Sequence, residues 1–225
     1  AVRVIDANKN RPFFLYLAYN APHTPLQALK SDYDALAGIK DHRLRVYGEI
    51  VDLLAAAHRL GPAGSLRPHT YETLFGLMAS TGLRVSEAIH LRDADVDLQR
   101  GMLTIRQTKF AKSRQLPIHP STVKALARYR KQRGRHLPMT TGMPFLIGSR
   151  GYRLGLPLGE RQAHRVFTGL RDCLGWVNRG GHDAPRLHDL RHTFAVRRLV
   201  RWYADGTEVD QKMLALSTYM GHAEI

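Results

Sequence analysis

The sequence predicts a mainly α-helical fold carrying one small antiparallel β-sheet, an α+β arrangement. Three observations point there. Apolar residues recur at helical spacing through most of the chain after residue 49. Two short alternating runs flank a polar loop and read as a hairpin. No apolar run reaches the eighteen or so residues that a bilayer-spanning helix needs. The chain has 225 residues, with 44% hydrophobic and 24% charged, enough to bury a sizeable core.

The elements follow in order. Residues 11–19, Arg-Pro-Phe-Phe-Leu-Tyr-Leu-Ala-Tyr, read as a buried strand ending at the turn Asn20-Ala21-Pro22. Residues 28–50 read as helix without a clear apolar face. Ile50, Leu53, Leu54 and Ala57 then recur at helical spacing, and Gly61-Pro62 stops that helix. A second helix starts in the loop Ser65 to Pro68, puts Tyr71, Leu74, Phe75 and Met78 on one face, and ends at Thr81-Gly82. A short helix is expected from Val85 to Leu91, then an acidic turn, Asp93-Ala94-Asp95. Met102–Thr108 and Arg114–Ile118 alternate like strands around Lys109 to Ser113. A basic helix runs from Pro120 to about Arg135 with Val123, Leu126 and Tyr129 as its apolar side. Residues 136–158 are loop-rich, with a strand at Phe145–Ile147. Further helices are expected over 160–174, 188–203 and 208–220, the last with Leu214, Leu216 and Tyr219 facing the core.

The charge says something about partners. The net charge is +15, from 34 Lys and Arg against 19 Asp and Glu. Residues 51–225 carry nearly all of the excess. Between Asp97 and Glu160 there is no acidic residue, yet 13 Lys or Arg fall there. A sign-pure stretch of that length reads as a surface for a polyanion. The one cysteine, Cys173, excludes an intramolecular disulfide and a cysteine-built zinc site, and it fits a reducing compartment. Phe13–Ala18 is too short for a signal-peptide core. A cytoplasmic protein without a membrane partner is expected.

Four local signals carry chemistry. In Thr81-Gly82-Leu83-Arg84-Val85-Ser86-Glu87, Gly82 permits a tight turn and Arg84 begins a helix. There a guanidinium can clamp a phosphate with two parallel hydrogen bonds. Glu87, one turn on, can hold that guanidinium or cap the helix. In His188-Asp189-Leu190-Arg191-His192, a helix would put His188 and Arg191 on one face, a neutral-range proton carrier beside an anion-binding cation. His188 and His192 do not meet the H-E-x-x-H metal pattern, because Asp189 stands in place of Glu, and no metal is expected. The third signal is Gly221-His222 after the last helix. The fourth is Lys109 in the hairpin, with Lys112 and Arg114 nearby as DNA-contacting cations.

Taken in order, T-G-L-R-V-S-E, the hairpin T-K-x-x-K-S-R-x-L-P, H-x-L-R-H-T-F and Y-M-G-H resemble the catalytic domain of the tyrosine recombinase (phage integrase) family. The resemblance covers about residues 48–225. It implies a mainly α domain with a three-stranded sheet that acts on double-stranded DNA, without a cofactor, as a multimer in the full-length family. By that resemblance Arg84 and Arg191 bind the scissile phosphate and Lys109 protonates the leaving 5′-oxygen. His188 serves acid–base catalysis, His222 donates a hydrogen bond to a phosphate oxygen, and Glu87 supports the arginines. A tyrosine attacks the phosphodiester to give a 3′-phosphotyrosine.

The family's nucleophilic tyrosine lies about nine residues after the last histidine, which counts to near position 231. The nine tyrosines of this sequence all lie at or before 219, so no nucleophile is expected within residues 1–225 and no cleavage in cis. Tyr219 reads as packing. Residues 1–47 do not resemble the family's N-terminal DNA-clamping domain. Arg11 to Gln27 and Asp41 to Tyr47 resemble an internal fragment of sulfatases, which implies a fusion near residues 47–50. The C/S-x-P-x-R motif of sulfatases is absent, so sulfate-ester hydrolysis is the weakest reading. A non-catalytic DNA-binding remnant is the main alternative to the recombinase.

Overall fold

The computed structural model describes residues 42–106, 113–138, 142–149, 151–176, 184–206 and 209–221. The strand expected at 11–19, the hairpin lysines Lys109 and Lys112, and His222 lie outside the described residues. Among the described residues the order is α1 (His42–His58), α2 (Arg67–Thr81), α3 (Val85–Ile89), β1 (Val96–Asp97), β2 (Met102–Ile105), β3 (Arg114–Pro117), α4 (Pro120–His136), α5 (Glu160–Cys173), α6 (Asp189–Ala204) and α7 (Val209–Met220). Mainly helical with one small antiparallel sheet is therefore the observed class.

Helix α2 is the hub. Tyr71, Leu74, Phe75 and Met78 are buried as their spacing predicts, and so are Thr70, Leu77 and Thr81. Burial wider than one stripe fits its neighbours, since α1, α4 and α6 all pack on it. Pro68 sits in its first turn, where a missing N–H costs nothing. Gly82 ends it at φ 67°, with its N–H donating to the Met78 carbonyl at 2.9 Å. A Cβ there would lie 2.5 Å from the Phe194 ring of α6, so both the backbone and the packing require glycine.

The sheet runs β1-β2-β3, antiparallel throughout. Leu103 stands opposite Leu116, and Ile105 opposite Arg114. Leu103, Ile105 and Leu116 are buried, while Met102 and Thr104 lie half out, the period-two alternation expected of a sheet with one packed face. Strand β1 is added where the sequence suggests only an acidic turn. Val96 pairs with Leu103, and a single 3-10 turn over Asp93–Asp95 precedes it.

Residues 143–148 are seated on the core without forming the expected strand. Phe145 N–H donates to the Leu91 carbonyl at 2.7 Å and Asp93 N–H to the Met143 carbonyl at 2.9 Å. Phe145, Leu146 and Ile147 are fully buried, held by isolated bridges rather than a ladder. Apolar content alone cannot tell a buried strand from a buried loop.

Arg133 of α4 is fully buried beneath this loop. It donates to the Pro144 and Phe145 carbonyls, both at 2.8 Å, and pairs with Asp93. Arg130 joins Asp93 at 3.1 Å. One corrected expectation concerns α7. Leu216 is buried with Phe194 and Met220, but Leu214 is 61% exposed. A helix packed mainly on α6 covers only a narrow stripe, and Leu214 lies off it.

Candidate nucleic-acid interface

Three arginines meet at one helix end, and two of them also hold one carboxylate. Arg84 is the N-cap of α3, in extended conformation. The Glu87 carboxylate accepts from the Arg84 backbone N–H at 2.9 Å and from its guanidinium at 3.0 Å. Glu87 thus caps the helix and also holds the guanidinium, the two options its spacing left open. Arg114 reaches the same carboxylate from β3, with Nη1 and Nη2 on its two oxygens at 2.9 and 3.0 Å. That bidentate pair fixes both side chains.

The other end of each arginine holds the last turn of α7. Arg114 Nε donates to the Tyr219 carbonyl at 3.0 Å, Arg191 Nη2 to Met220 at 2.7 Å, and Arg84 Nη2 to Gly221 at 3.2 Å. Helix C-terminal carbonyls lack intrahelical donors and carry the negative end of the helix dipole. Three guanidiniums supply what they lack. Gly221 has φ 71°, and a Cβ there would lie 2.5 Å from Arg114 Nη1. The backbone at Gly221 is therefore set by the arginine cluster.

Arg191 is 3% exposed. Its second hydrogen bond goes to the Gly82 carbonyl at 2.6 Å, so the turn closing α2 positions the guanidinium from α6. Both of these partners are carbonyls rather than carboxylates. Burial, and then the Arg84 and Arg114 charges, push its pKa down to about 10, with Glu87 opposing. It stays cationic at neutral pH. Burial works to raise the Glu87 pKa, yet the hydrogen bonds and charges of Arg114 and Arg84 outweigh it and hold the carboxyl below its usual range. Three positive charges against one carboxylate and a helix end leave a local cationic excess.

His188 is not on the helix. Helix α6 begins at Asp189, which accepts from the Arg186 N–H at 2.7 Å in capping fashion, and His188 lies in the preceding turn, exposed. The expectation that His188 and Arg191 share a helical face is corrected accordingly. The His188 carbonyl accepts from Arg191 N–H at 3.0 Å, while the Arg191 side chain turns inward. Partial burial, then the charges of His192 and Arg191, hold the His188 pKa below its usual value, which keeps the imidazole neutral at pH 7 and able to accept a proton.

Tyr219 packs as expected. Its ring stacks on Phe194 at 5.7 Å, its hydroxyl donates to the Pro117 carbonyl at 3.2 Å, and burial raises its pKa.

Beside Arg84 opens a cleft of about 1150 Å³ whose lining includes Arg84, His90, Arg92, Arg106, Ser113 and Pro144. His90, Arg92 and Arg106 are exposed at its rim. Sequence reasoning did not single out His90, Arg92 or Arg106; the first two lie 6 and 8 residues after Arg84, while Arg106, 22 residues on, reaches the cleft only through the fold. It also missed the clamp role of Arg114, which depends on a strand meeting a helix 27 residues earlier.

Similar proteins complete the picture. The Phage integrase family matches residues 47–225. The putative integrase/recombinase y4rB of Sinorhizobium fredii is 43% identical over 160 residues, 71% of this chain and 50% of that protein. The putative integrase/recombinase y4rE of the same organism is 39% identical over 217 residues, 95% of this chain and 66% of that protein. The chain thus spans half to two thirds of the length of these relatives. A match covering 95% extends ahead of residue 48, and the sulfatase likeness of the leading segment finds no support in it. The fold resembles that of the Tn1549 transposon integrase solved with transposon right end DNA, with TM-score 0.55 and 20% identity over 79% of this chain and 57% of that one. With an arginine cluster built from the family's motif positions and a family match over residues 47–225, the chain belongs to the phage integrase family of tyrosine recombinases.

Proposed function

We propose that residues 48–225 are the DNA strand-exchange domain of a site-specific recombinase or integrase, acting in the cytoplasm on double-stranded DNA as part of a multimer. The observation that carries this reading is the cationic excess around Glu87, above all the nearly buried Arg191, hydrogen-bonded to the Gly82 and Met220 carbonyls. A phosphodiester held there places its non-bridging oxygens between Arg84 and Arg191, which stabilise the charge that grows in the trigonal-bipyramidal transition state.

The remaining roles follow the family resemblance. A tyrosine oxygen bonds to phosphorus while the bond to the 5′-oxygen breaks. Neutral His188 takes the tyrosine proton, Lys109 gives one to the departing 5′-oxygen, and His222 donates to a phosphate oxygen. One phosphoester replaces another, so no external energy source is required. By the family spacing the tyrosine is counted to near position 231. Lys112, with the exposed rim arginines Arg92 and Arg106, follows the backbone. Arg114, already committed to Glu87, contributes charge and position.

Fluorescence anisotropy on labelled duplex DNA tests this. Affinity is expected to fall steeply and linearly in log–log form with added salt. Arg191→Ala is expected to weaken binding by about ten- to a hundredfold, from the about 1.5–3 kcal/mol of a charged hydrogen bond. A flat salt response, or an Arg191→Ala variant that binds as tightly as the parent, would overturn the assignment.

A further inference from the structure

On the far side of the α1–α2 hairpin, three side chains bring metal-binding atoms together. His58 ends α1, and His69 and Glu72 stand one turn apart on α2. One ligand atom from each lies within 4.8 Å of the other two. His58 Nδ1 is 2.8 Å from Glu72 Oε2, and the two imidazoles meet edge to face with centroids 5.7 Å apart.

We propose that His58, His69 and Glu72 form a binding site for a divalent cation of the zinc class. Two imidazoles and a carboxylate suit zinc and its late first-row neighbours rather than calcium or magnesium, which prefer oxygen-only sets. Bonds of about 2.0–2.2 Å in a tetrahedron set ligand atoms about 3.3 Å apart. The His58–Glu72 pair must open by about half an ångström from its hydrogen bond to admit an ion at that spacing. The wider separations must close by up to about 1.5 Å to reach it.

The His58 side chain is 60% exposed, so it can turn to do so. Binding at His58 Nδ1 displaces the hydrogen bond to Glu72, and the imidazole then carries its proton on Nε2. Arg128 holds the other carboxylate oxygen, Oε1, at 3.1 Å. That contact orients Oε2 toward the histidines and also withdraws negative charge, so affinity is modest. A pocket of about 370 Å³ bounded by His58, His69, Pro68 and the loop 59–65 adjoins the trio and leaves room for water as a further ligand. The ion would clasp the last turn of α1 to the first turns of α2.

No sequence motif announces this site, because His58 belongs to a different helix from the His-x-x-Glu pair. The test is titration of the chain with cobalt(II), read by the visible absorption of a tetrahedral complex, with zinc as competitor. One saturable equivalent is expected. It should be weakened at least about tenfold by His69→Asn and by His58→Asn, and retained in the double variant His188→Asn/His192→Asn. His58 is exposed enough for its substitution to leave the fold intact, checked by far-ultraviolet circular dichroism. A metal-dependent rise in melting temperature is expected in the parent and not in either single variant. Absence of saturable binding would overturn the site. So would binding that survives His58→Asn and His69→Asn, or that disappears with His188 and His192.

Discussion

Arg133 and Arg191 are both buried, and they are buried differently. Arg133, fully enclosed, has a carboxylate, Asp93, as well as two loop carbonyls. Arg191 has the Gly82 and Met220 carbonyls, and it sits beside two further cations. On the proposed function, a buried cation with its own anion serves the fold, whereas one set mainly among other cations receives the DNA phosphate. Burial alone therefore does not separate a structural arginine from a functional one; the character of the partners does.

The largest expected effect breaks that comparison at its structural end. Arg133→Ala leaves Asp93 paired, among the described residues, with Arg130, and strips two loop carbonyls of their donor. It is expected to destabilise the domain by about 3–5 kcal/mol, the range for removing one partner of a buried pair. Arg191→Ala also removes two hydrogen bonds, but it relieves crowding among three cations, so its stability cost is expected to stay within about 1–2 kcal/mol. Urea denaturation of the two variants decides it. Equal losses would mean that both arginines are structural.

Glu87 tests the other end. Its carboxylate anchors both Arg84 and Arg114. Glu87→Gln keeps the shape and loses the charge, with an expected cost at neutral pH of about 1.5–3 kcal/mol. The pH dependence has a fixed sign. The folded-state pKa lies below the unfolded one, so the stabilisation is complete above the ordinary carboxylate range and is lost as pH falls through the depressed folded value. The gap between parent and Glu87→Gln should therefore narrow in acid. A gap that widens there would mean that Glu87 is protonated in the fold.

These two sites also show what the sequence could reveal. Gly82, Arg84 and Glu87 were legible because they lie within six consecutive residues, where local spacing fixes contact. The clamp by Arg114 was not, because its partner is set by how a strand packs on a helix. The acid-free stretch from 98 to 159 was overread for the same reason. Its Arg106, Arg114, Arg128, Arg130 and Arg133 find Asp95, Glu87, Glu72 and Asp93 from the segment before it. Sign purity along the chain is thus partly cancelled in space, and the cationic surface is smaller than the count implies. The helices were legible within a residue or two after position 49, since long periodic segments declare themselves. Leu214 was misplaced because periodicity gives a face but not its width.

Gly82→Ala probes the link between the turn and Arg191. The added methyl meets Phe194 at 2.5 Å and the backbone is left-handed, so a cost of about 1–3 kcal/mol is expected. The Gly82 carbonyl is also a partner of Arg191, so the variant should lose DNA affinity along with stability. Loss of stability with affinity unchanged would detach Arg191 from the turn.

The smallest effect is expected where an arginine is neither enclosed nor crowded. Arg201 is 67% exposed and lies 3.5 Å from Asp205, four residues on and just past the end of α6. Water screens the pair, and ordering two long side chains offsets most of the attraction. Arg201→Ala is expected to change stability by less than about 0.5 kcal/mol, and DNA affinity only by the share that one surface charge adds to the salt slope. A loss as large as that of Arg191→Ala would show that the polyanion spreads well beyond the three-arginine cluster. The distinction would then rest on where the arginines lie along the DNA path, and no longer on how each is buried.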